Sequence, residues 1–336
     1  MSPWPVVLEF TALAVAIGFA GFLLSIYGDV IAEKTGLGGA WIGFALMAVV
    51  TSLPELATGL SAAGLNQLPD IALGDALGSC VFNLMFIVLL DFLHREASVY
   101  TRASQGHILA SAFGIVLLGF IAFNIVLAHN GIDIKYRHIA LATPITLVFY
   151  VIAMHTVFRY EKSQHQEALE ELAERYPHIS LSKAIKRYSL AAICVVALGI
   201  RLPETASKLA EVMGWEQSFV GTVFVALATS LPELVVTISA LQIGALDMAI
   251  SDLFGSNLFN LLIVALDDLV YLPGSILAAA LPVHLVTVLS AIMMNGIAIT
   301  GLLYRPTTRL FKTIGWVSLA MFSVYVVNMW VLYLHR

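Results

Sequence analysis

Charge is scarce in this chain. Asp, Glu, Lys and Arg make up only 12 % of its 336 residues, about half the share of an ordinary soluble domain. A surface so poor in charge leaves no room for a large soluble domain. Cysteine is nearly missing: Cys80 and Cys194 both fall inside apolar segments, which argues against a disulfide framework. No Gly-rich phosphate loop, nucleophile elbow or His-Glu-x-x-His pattern occurs. The chain is therefore expected to be no enzyme and to carry no cofactor, and nothing in it points to nucleic acid. The start, Met1-Ser-Pro-Trp-Pro, lacks a positive stretch and a small-residue cleavage site, and is expected to lead into a first span rather than be removed.

What is present is apolar. Hydrophobic residues reach 60 % and mean hydropathy is +0.91. Apolar runs of about 20 residues recur, each long enough to cross a bilayer as a helix. The pattern predicts an all-α polytopic membrane protein with about ten transmembrane helices, near 5–27, 38–64, 70–93, 105–128, 138–158, 187–203, 216–243, 246–271, 280–304 and 313–333. The single long polar stretch, 159–186, separates a first five-helix half, 1–158, from a second, 187–336. Within it Glu161–Arg175 reads as a short cytoplasmic helix in a solvated connector, ended by Pro177. With the N-terminus outside, twelve Lys and Arg fall in inside loops and five outside. That bias predicts both termini outside, the connector inside, and a multi-pass protein of the cell membrane. Five spans per half is an odd number, so the halves are inverted relative to each other.

The sequence Thr-Ser-Leu-Pro-Glu-Leu occurs twice, at Thr51–Leu56 and Thr229–Leu234, 178 positions apart. Ile42–Ala63 aligned with Val220–Leu241 gives 10 identities in 22 positions. Downstream, Asp75, Ser79 and Asn83 repeat as Asp252, Ser256 and Asn260 at an offset of 177, and upstream Glu33 matches Glu211. A carboxylate at membrane depth is costly and marks an ion or substrate path. Two copies at matching places are the sequence sign of a transporter with its site at the midplane.

The residue types fit a cation. Proline has no amide hydrogen, and its ring clashes with the carbonyl one turn back. Pro54 therefore frees carbonyls near Val50 and Thr51, and Pro232 does so near Ala228 and Thr229. Hard cations take several oxygen ligands. Glu55 and Glu233 supply carboxylates beside the breaks; Thr51, Ser52, Thr229 and Ser230 add hydroxyls and carbonyls. Asp75, Ser79 and Asn83 share one helical face, as do Asp252, Ser256 and Asn260, and Gly78-Ser79 and Gly255-Ser256 are natural kink points. A lone serine or proline in a membrane helix usually serves packing; it is duplication of the whole set that points to a site. His107, His155 and His284 have no metal-ligand partner at useful spacing and are expected to serve packing or interfaces. Asp91 and Asp268 lie near helix ends and are expected to face headgroups or water.

These motifs resemble the sodium/calcium exchanger family, the cation/Ca²⁺ antiporters built from two inverted repeats. The resemblance rests on Ala48-Val-Val-Thr-Ser-Leu-Pro-Glu55 with Gly78-Ser-Cys-Val-Phe-Asn83, and on Ala226-Leu-Ala-Thr-Ser-Leu-Pro-Glu233 with Gly255-Ser-Asn-Leu-Phe-Asn260. It implies that Glu55 and Glu233 chelate Ca²⁺ with the carbonyls of Thr51 and Thr229. It implies further that Na⁺ shares those glutamates and uses Ala48, Ser52, Ser79, Ala226, Ser230 and Ser256. Asn83 and Asn260 complete the middle site, and sliding of the first and sixth helices carries the conformational change. Inorganic cations and the lipid bilayer are then the expected partners. This chain departs from many relatives in having Val50 and Ala228 where they have glycine, Asp75, Asp252 and Cys80 where they have asparagine, and Asn260 where many microbial members have aspartate. The added Asp75/Asp252 pair keeps two readings open: Ca²⁺ exchange for Na⁺, and proton-coupled exchange of Ca²⁺ or another divalent cation such as Mg²⁺ or Mn²⁺.

Overall fold

The computed structural model describes residues 3–35, 47–94, 97–165, 178–242, 244–310 and 314–336. Its main helices are α1 (Trp4–Lys34), α2 (Leu53–Leu60), α3 (Pro69–Leu93), α4 (Gly106–His129), α5 (Ala142–His165), α6 (Leu181–Met213), α7 (Ala226–Thr229), α8 (Leu231–Gln242), α9 (Leu246–Val270), α10 (His284–Tyr304) and α11 (Trp316–Leu334). Among the described residues, eight helices are long and apolar enough to cross a membrane. The bent run Gln217–Thr229 plus Leu231–Gln242, with an angle of 43°, makes up to one more. The remaining expected span, 38–64, is helical at 47–51 and in α2, and its beginning lies outside the described residues. Most of the connector helix expected at Glu161–Arg175 also lies outside them, although α5 runs on to His165.

The sixth span is longer than expected, because the helix continues past its charged residues. Arg201, Glu204 and Lys208 pair along its exposed side at 2.7 Å each, the i,i+3 and i,i+4 contacts that support a helix at a surface. It stops at Gly214, whose φ of +66° suits a glycine. α5 starts later than expected, because Lys135–Tyr136 and Ile139–Ala140 pair as a small antiparallel ribbon before it.

Burial sorts the helices into a centre and a periphery. The hydrophobic windows of α3 and α9 are 78 % and 83 % buried, against 28 % for α1, α5 and α11. The central helices approach closely through small residues, as helices in lipid must when packing and not water exclusion holds them. A Cβ added at Gly74 would lie 2.8 Å from the Thr222 amide, and one at Gly78 2.5 Å from the Thr222 carbonyl. α3 and α9 run unbroken through Gly78-Ser79 and Gly255-Ser256. The expectation of kinks there is corrected: Gly78 serves close contact instead.

Asp91 and Asp268 also correct an expectation. Both are buried, at 0 % and 1 % exposure. Asp268 accepts hydrogen bonds from the amides of Ala140 (2.9 Å) and Ile276 (2.8 Å) and from the Thr143 hydroxyl. Asp91 accepts from the Val99 amide (3.1 Å), Ser98 (3.0 Å), the Gly315 amide (3.2 Å) and Ser318 (2.7 Å), and pairs with the mostly buried Arg309 at 3.2 Å. These carboxylates tie the loops at the ends of α3 and α9 to neighbouring elements, a demand that proximity to a helix end does not reveal. Asp91→Ala would leave Arg309 buried without a counter-charge. The expected loss is about 3–5 kcal/mol, read as a clearly lowered melting temperature of the detergent-solubilised protein; an unchanged melting temperature would refute this role.

Candidate functional site

Both motif helices break at the serine. Ser52 (φ −87°, ψ 14°) and Ser230 (φ −82°, ψ 6°) leave helical geometry, and Pro54 and Pro232 then sit in the first turns of α2 and α8, where a missing amide costs nothing. The backbone bonds that cross the breaks run from Ser52 to Ala48 (3.1 Å), Leu56 to Ser52 (3.1 Å), Ser230 to Ala226 (3.0 Å) and Leu234 to Ser230 (3.2 Å). Among the described residues none of them ends on Val50, Thr51, Ala228 or Thr229. Glu55 and Glu233 occupy the first turns of α2 and α8, where the positive end of the helix dipole favours a carboxylate.

The two breaks meet crosswise. Ser52 Oγ donates to Glu233 Oε1 at 3.0 Å, and Ser230 Oγ donates to Glu55 Oε1 at 3.1 Å. Ser79 on α3 joins this pair, its Oγ lying 2.9 Å from Ser230 Oγ and 3.4 Å from Glu55 Oε1. The aspartates are tied across the halves in the same manner. Thr229 Oγ1 donates to Asp75 Oδ1 at 2.7 Å, and Thr51 Oγ1 lies 3.4 Å from Asp252 Oδ1 and 3.2 Å from Ser256 Oγ. The same threonine hydroxyls reach the carbonyls of Ala48 (3.3 Å) and Ala226 (3.2 Å), so these two alanines take part only through their backbone.

Every residue expected at the site from sequence is thus on α3, α9 or the two broken helices, and none is more than 2 % exposed. The centre is closed to solvent on both sides. Asn83 Nδ2 donates to Asn257 Oδ1 at 3.1 Å, while neither polar side-chain atom of Asn260 has a partner. The second oxygens of Glu55, Glu233, Asp75 and Asp252 are also unpartnered. Among the described residues no Lys, Arg or His side chain pairs with these four carboxylates, and no three His, Cys, Asp or Glu side chains converge as a preformed metal cluster. The site is a network of carboxylate–hydroxyl pairs with free oxygens at its centre.

Sequence reasoning missed three features. Asn257 enters the site beside Ser256, but its counterpart is Cys80, so duplication gave no signal. His107 Nε2 meets Asp247 Oδ1 at 2.7 Å, and His284 Nε2 meets Asp70 Oδ1 at 3.0 Å. Each aspartate also accepts a backbone amide, from Ser104 and from Leu281, at 2.7 Å. These pairs repeat at the same offset of 177 as the α3 and α9 stripes, a signal that could have found them. Both buried histidines latch one half to the other, whereas His155 is exposed. The third feature, Asp267, has no duplicate.

The family described as "Sodium/calcium exchanger protein" matches residues 5–159 and 188–334, nearly the whole chain. The chain belongs to the sodium/calcium exchanger family. It is a membrane protein and a cation transporter of the antiporter type. "Inner membrane protein YrbG" of Escherichia coli (strain K12) is 26 % identical to it over 275 residues, 79 % of this chain and 82 % of the relative. "Sodium/calcium exchanger MaX1" of Methanosarcina acetivorans is 27 % identical over 278 residues, 72 % of this chain and 76 % of the relative. Among solved structures, the sodium-calcium exchanger NCX_Mj superposes with a TM-score of 0.60 at 20 % identity, covering 98 % of this chain and 99 % of that one. The H⁺/Ca²⁺ exchanger CAX superposes at 0.67 and 15 % identity, covering 98 % and 86 %. At these identities the structural likeness shows that this exchanger shares their fold.

Proposed function

We propose that this exchanger moves Ca²⁺ against Na⁺ through the single central site, by alternating access. The observation that carries the reading is the reciprocal Ser52–Glu233 and Ser230–Glu55 pairing, which holds two buried carboxylates, each with a free oxygen, between the inverted halves. Two carboxylates neutralise one Ca²⁺, and several Na⁺ ions compete for the same oxygens. Binding draws the glutamates from their serine partners onto the ion. The serine hydroxyls and the Thr51 and Thr229 carbonyls then turn from spectators into ligands, with Ser79, Ser256, Asn83, Asn260 and the carbonyls of Ala48 and Ala226 holding the competing ions. The halves are 1–158 and 187–336, joined by an inside connector at 159–186, with both termini outside the cell membrane. The lysine and arginine count supports that orientation.

A second reading, proton-coupled exchange of Ca²⁺ or another divalent cation (Mg²⁺, Mn²⁺), is favoured by Asp75 and Asp252. Each receives a threonine hydroxyl from the opposite half and keeps one oxygen free. ⁴⁵Ca²⁺ uptake into proteoliposomes at clamped voltage separates the two. Uptake driven by an outward Na⁺ gradient alone supports the first; uptake driven by an outward H⁺ gradient alone replaces it with the second. In the second case, Asp75→Asn combined with Asp252→Asn should flatten the pH dependence of uptake. An unaltered pH profile would remove a direct proton role for this pair.

A further inference from the structure

Asp267 lies in α9, is 0 % exposed, and has no hydrogen-bond partner at either carboxylate oxygen. The charged neighbours whose fields reach it are Asp75 and Asp268, both acidic. Asp268 has both oxygens engaged by Ala140, Thr143 and Ile276, whereas Asp75 Oδ2 is free. A carboxylate in lipid-embedded protein with no donor and no counter-charge calls for a positive occupant.

Geometry places it beside the central site. A Cβ built at Gly59 would lie 2.7 and 2.8 Å from the Asp267 oxygens, and one at Gly64 would lie 3.3 Å from Val270. The end of α9 therefore runs beside the end of α2. Gly59 follows Glu55 by four residues, one helical turn along the same face. The chain leaves Leu65 and begins α3 at Pro69, so the start of α3, with Asp70 and Asp75, is at this same membrane face. On this face an open cleft of about 320 Å³ is bordered by Asp70, Glu211 and Glu216, acidic walls that concentrate cations. The opposite face lacks the arrangement. The residue matching Asp267 is Leu90, and the residue matching Gly59 is Thr237. The glycine opens, and the carboxylate fills, a gap in one half only.

We propose that Asp267, with Asp75, forms an off-centre site for a divalent cation beside Gly59, which the ion occupies between the Asp70 face and the Glu55–Glu233 centre. Two carboxylates and water satisfy such an ion. The site rests on the exchanger reading, and because only one half has it, it makes the two directions of transport unequal.

The test is sided Ca²⁺ uptake by oriented proteoliposomes of wild type, Asp267→Asn and Asp267→Leu, the latter copying the residue of the other half. Loss of one of two carboxylates should raise the half-saturating Ca²⁺ concentration at the Asp70 face roughly tenfold and leave the opposite face unchanged. Equal changes at both faces, no change, or a shift in pH dependence without a shift in Ca²⁺ half-saturation would each overturn it. Calorimetry with Ca²⁺ separates this inference from the exchanger reading. Protein carrying Glu55→Gln and Glu233→Gln has lost the central pair and should keep a weaker binding event, which adding Asp267→Asn abolishes. Should wild type fail to exchange Ca²⁺, the exchanger reading falls, and this residual binding still decides for or against Asp267.

Discussion

Glu55→Gln and Glu233→Gln are each expected to abolish Ca²⁺ uptake while the protein remains folded. The two carboxylates are buried, and among the described residues no basic side chain pairs with either. Removing one therefore leaves a bound divalent ion with an uncompensated charge inside the membrane. At 4 Å and an effective dielectric constant of 20, one unit-charge interaction is about 4 kcal/mol, roughly a thousandfold in Kd. Glutamine keeps the shape, and its carbonyl oxygen still accepts the Ser230 or Ser52 hydroxyl, so folding should survive. Proteoliposome uptake and a melting curve on the same preparation check both halves of the prediction. Normal uptake by either variant would remove that glutamate from the ion site. The pseudo-symmetry of the Ser–Glu pairs adds that the two variants should be similar in severity.

Gly21→Leu is expected to slow exchange at least tenfold, about 1.4 kcal/mol in barrier height, while Ca²⁺ binding measured by calorimetry is retained. A Cβ at Gly21 would lie 2.2 Å from Pro232 Cγ, and one at the matching Gly199 would lie 2.8 Å from Ala57 Cβ. Each glycine thus lets a long helix cross the broken helix of the other half at close range. α1 and α6 pack along each other and are joined at both ends, by Arg201 with Glu9 (3.3 Å) and by Arg187 with Tyr27. At 31 and 33 residues they span about 45–50 Å, more than a bilayer core of about 30 Å, and so must tilt. A tilted, mutually fastened pair crossing the site on two glycines is suited to move as one body. A leucine at Gly21 would wedge it against Pro232. Full exchange by Gly21→Leu would show that α1 does not slide there. Loss of binding together with exchange would show damage to the centre instead of to the motion.

Much of this protein was legible before folding. Long apolar runs separated by short polar loops determine a helical membrane protein, because a backbone in lipid must satisfy its hydrogen bonds within each span. The motif pair at offset 178 determined that a site is built twice, since inverted halves meet at a midplane only if each brings its own copy. Glu55, Glu233 and the threonine, serine and aspartate positions followed from that duplication. The exposed end of α6 did not, because surface charge pairs extend a helix that hydropathy alone would stop.

Only the tertiary structure decided which partner each polar group takes. Ser52 serves Glu233 and not its own Glu55, Thr229 serves Asp75, and His284 serves Asp70, because the halves interlock and the nearest oxygen belongs to the other half. Asp91 and Asp268 look like surface residues in a sequence, yet they are buried as acceptors for loop amides that come from more than 40 positions away as well as from nearby. Asn257 and Asp267 have no duplicate, so repetition passes over them; their burial and free polar atoms exist only once α9 lies against α2 and α3. Periodicity and duplication act along the chain and can be read there, whereas the satisfaction of a buried charge depends on what packing brings beside it.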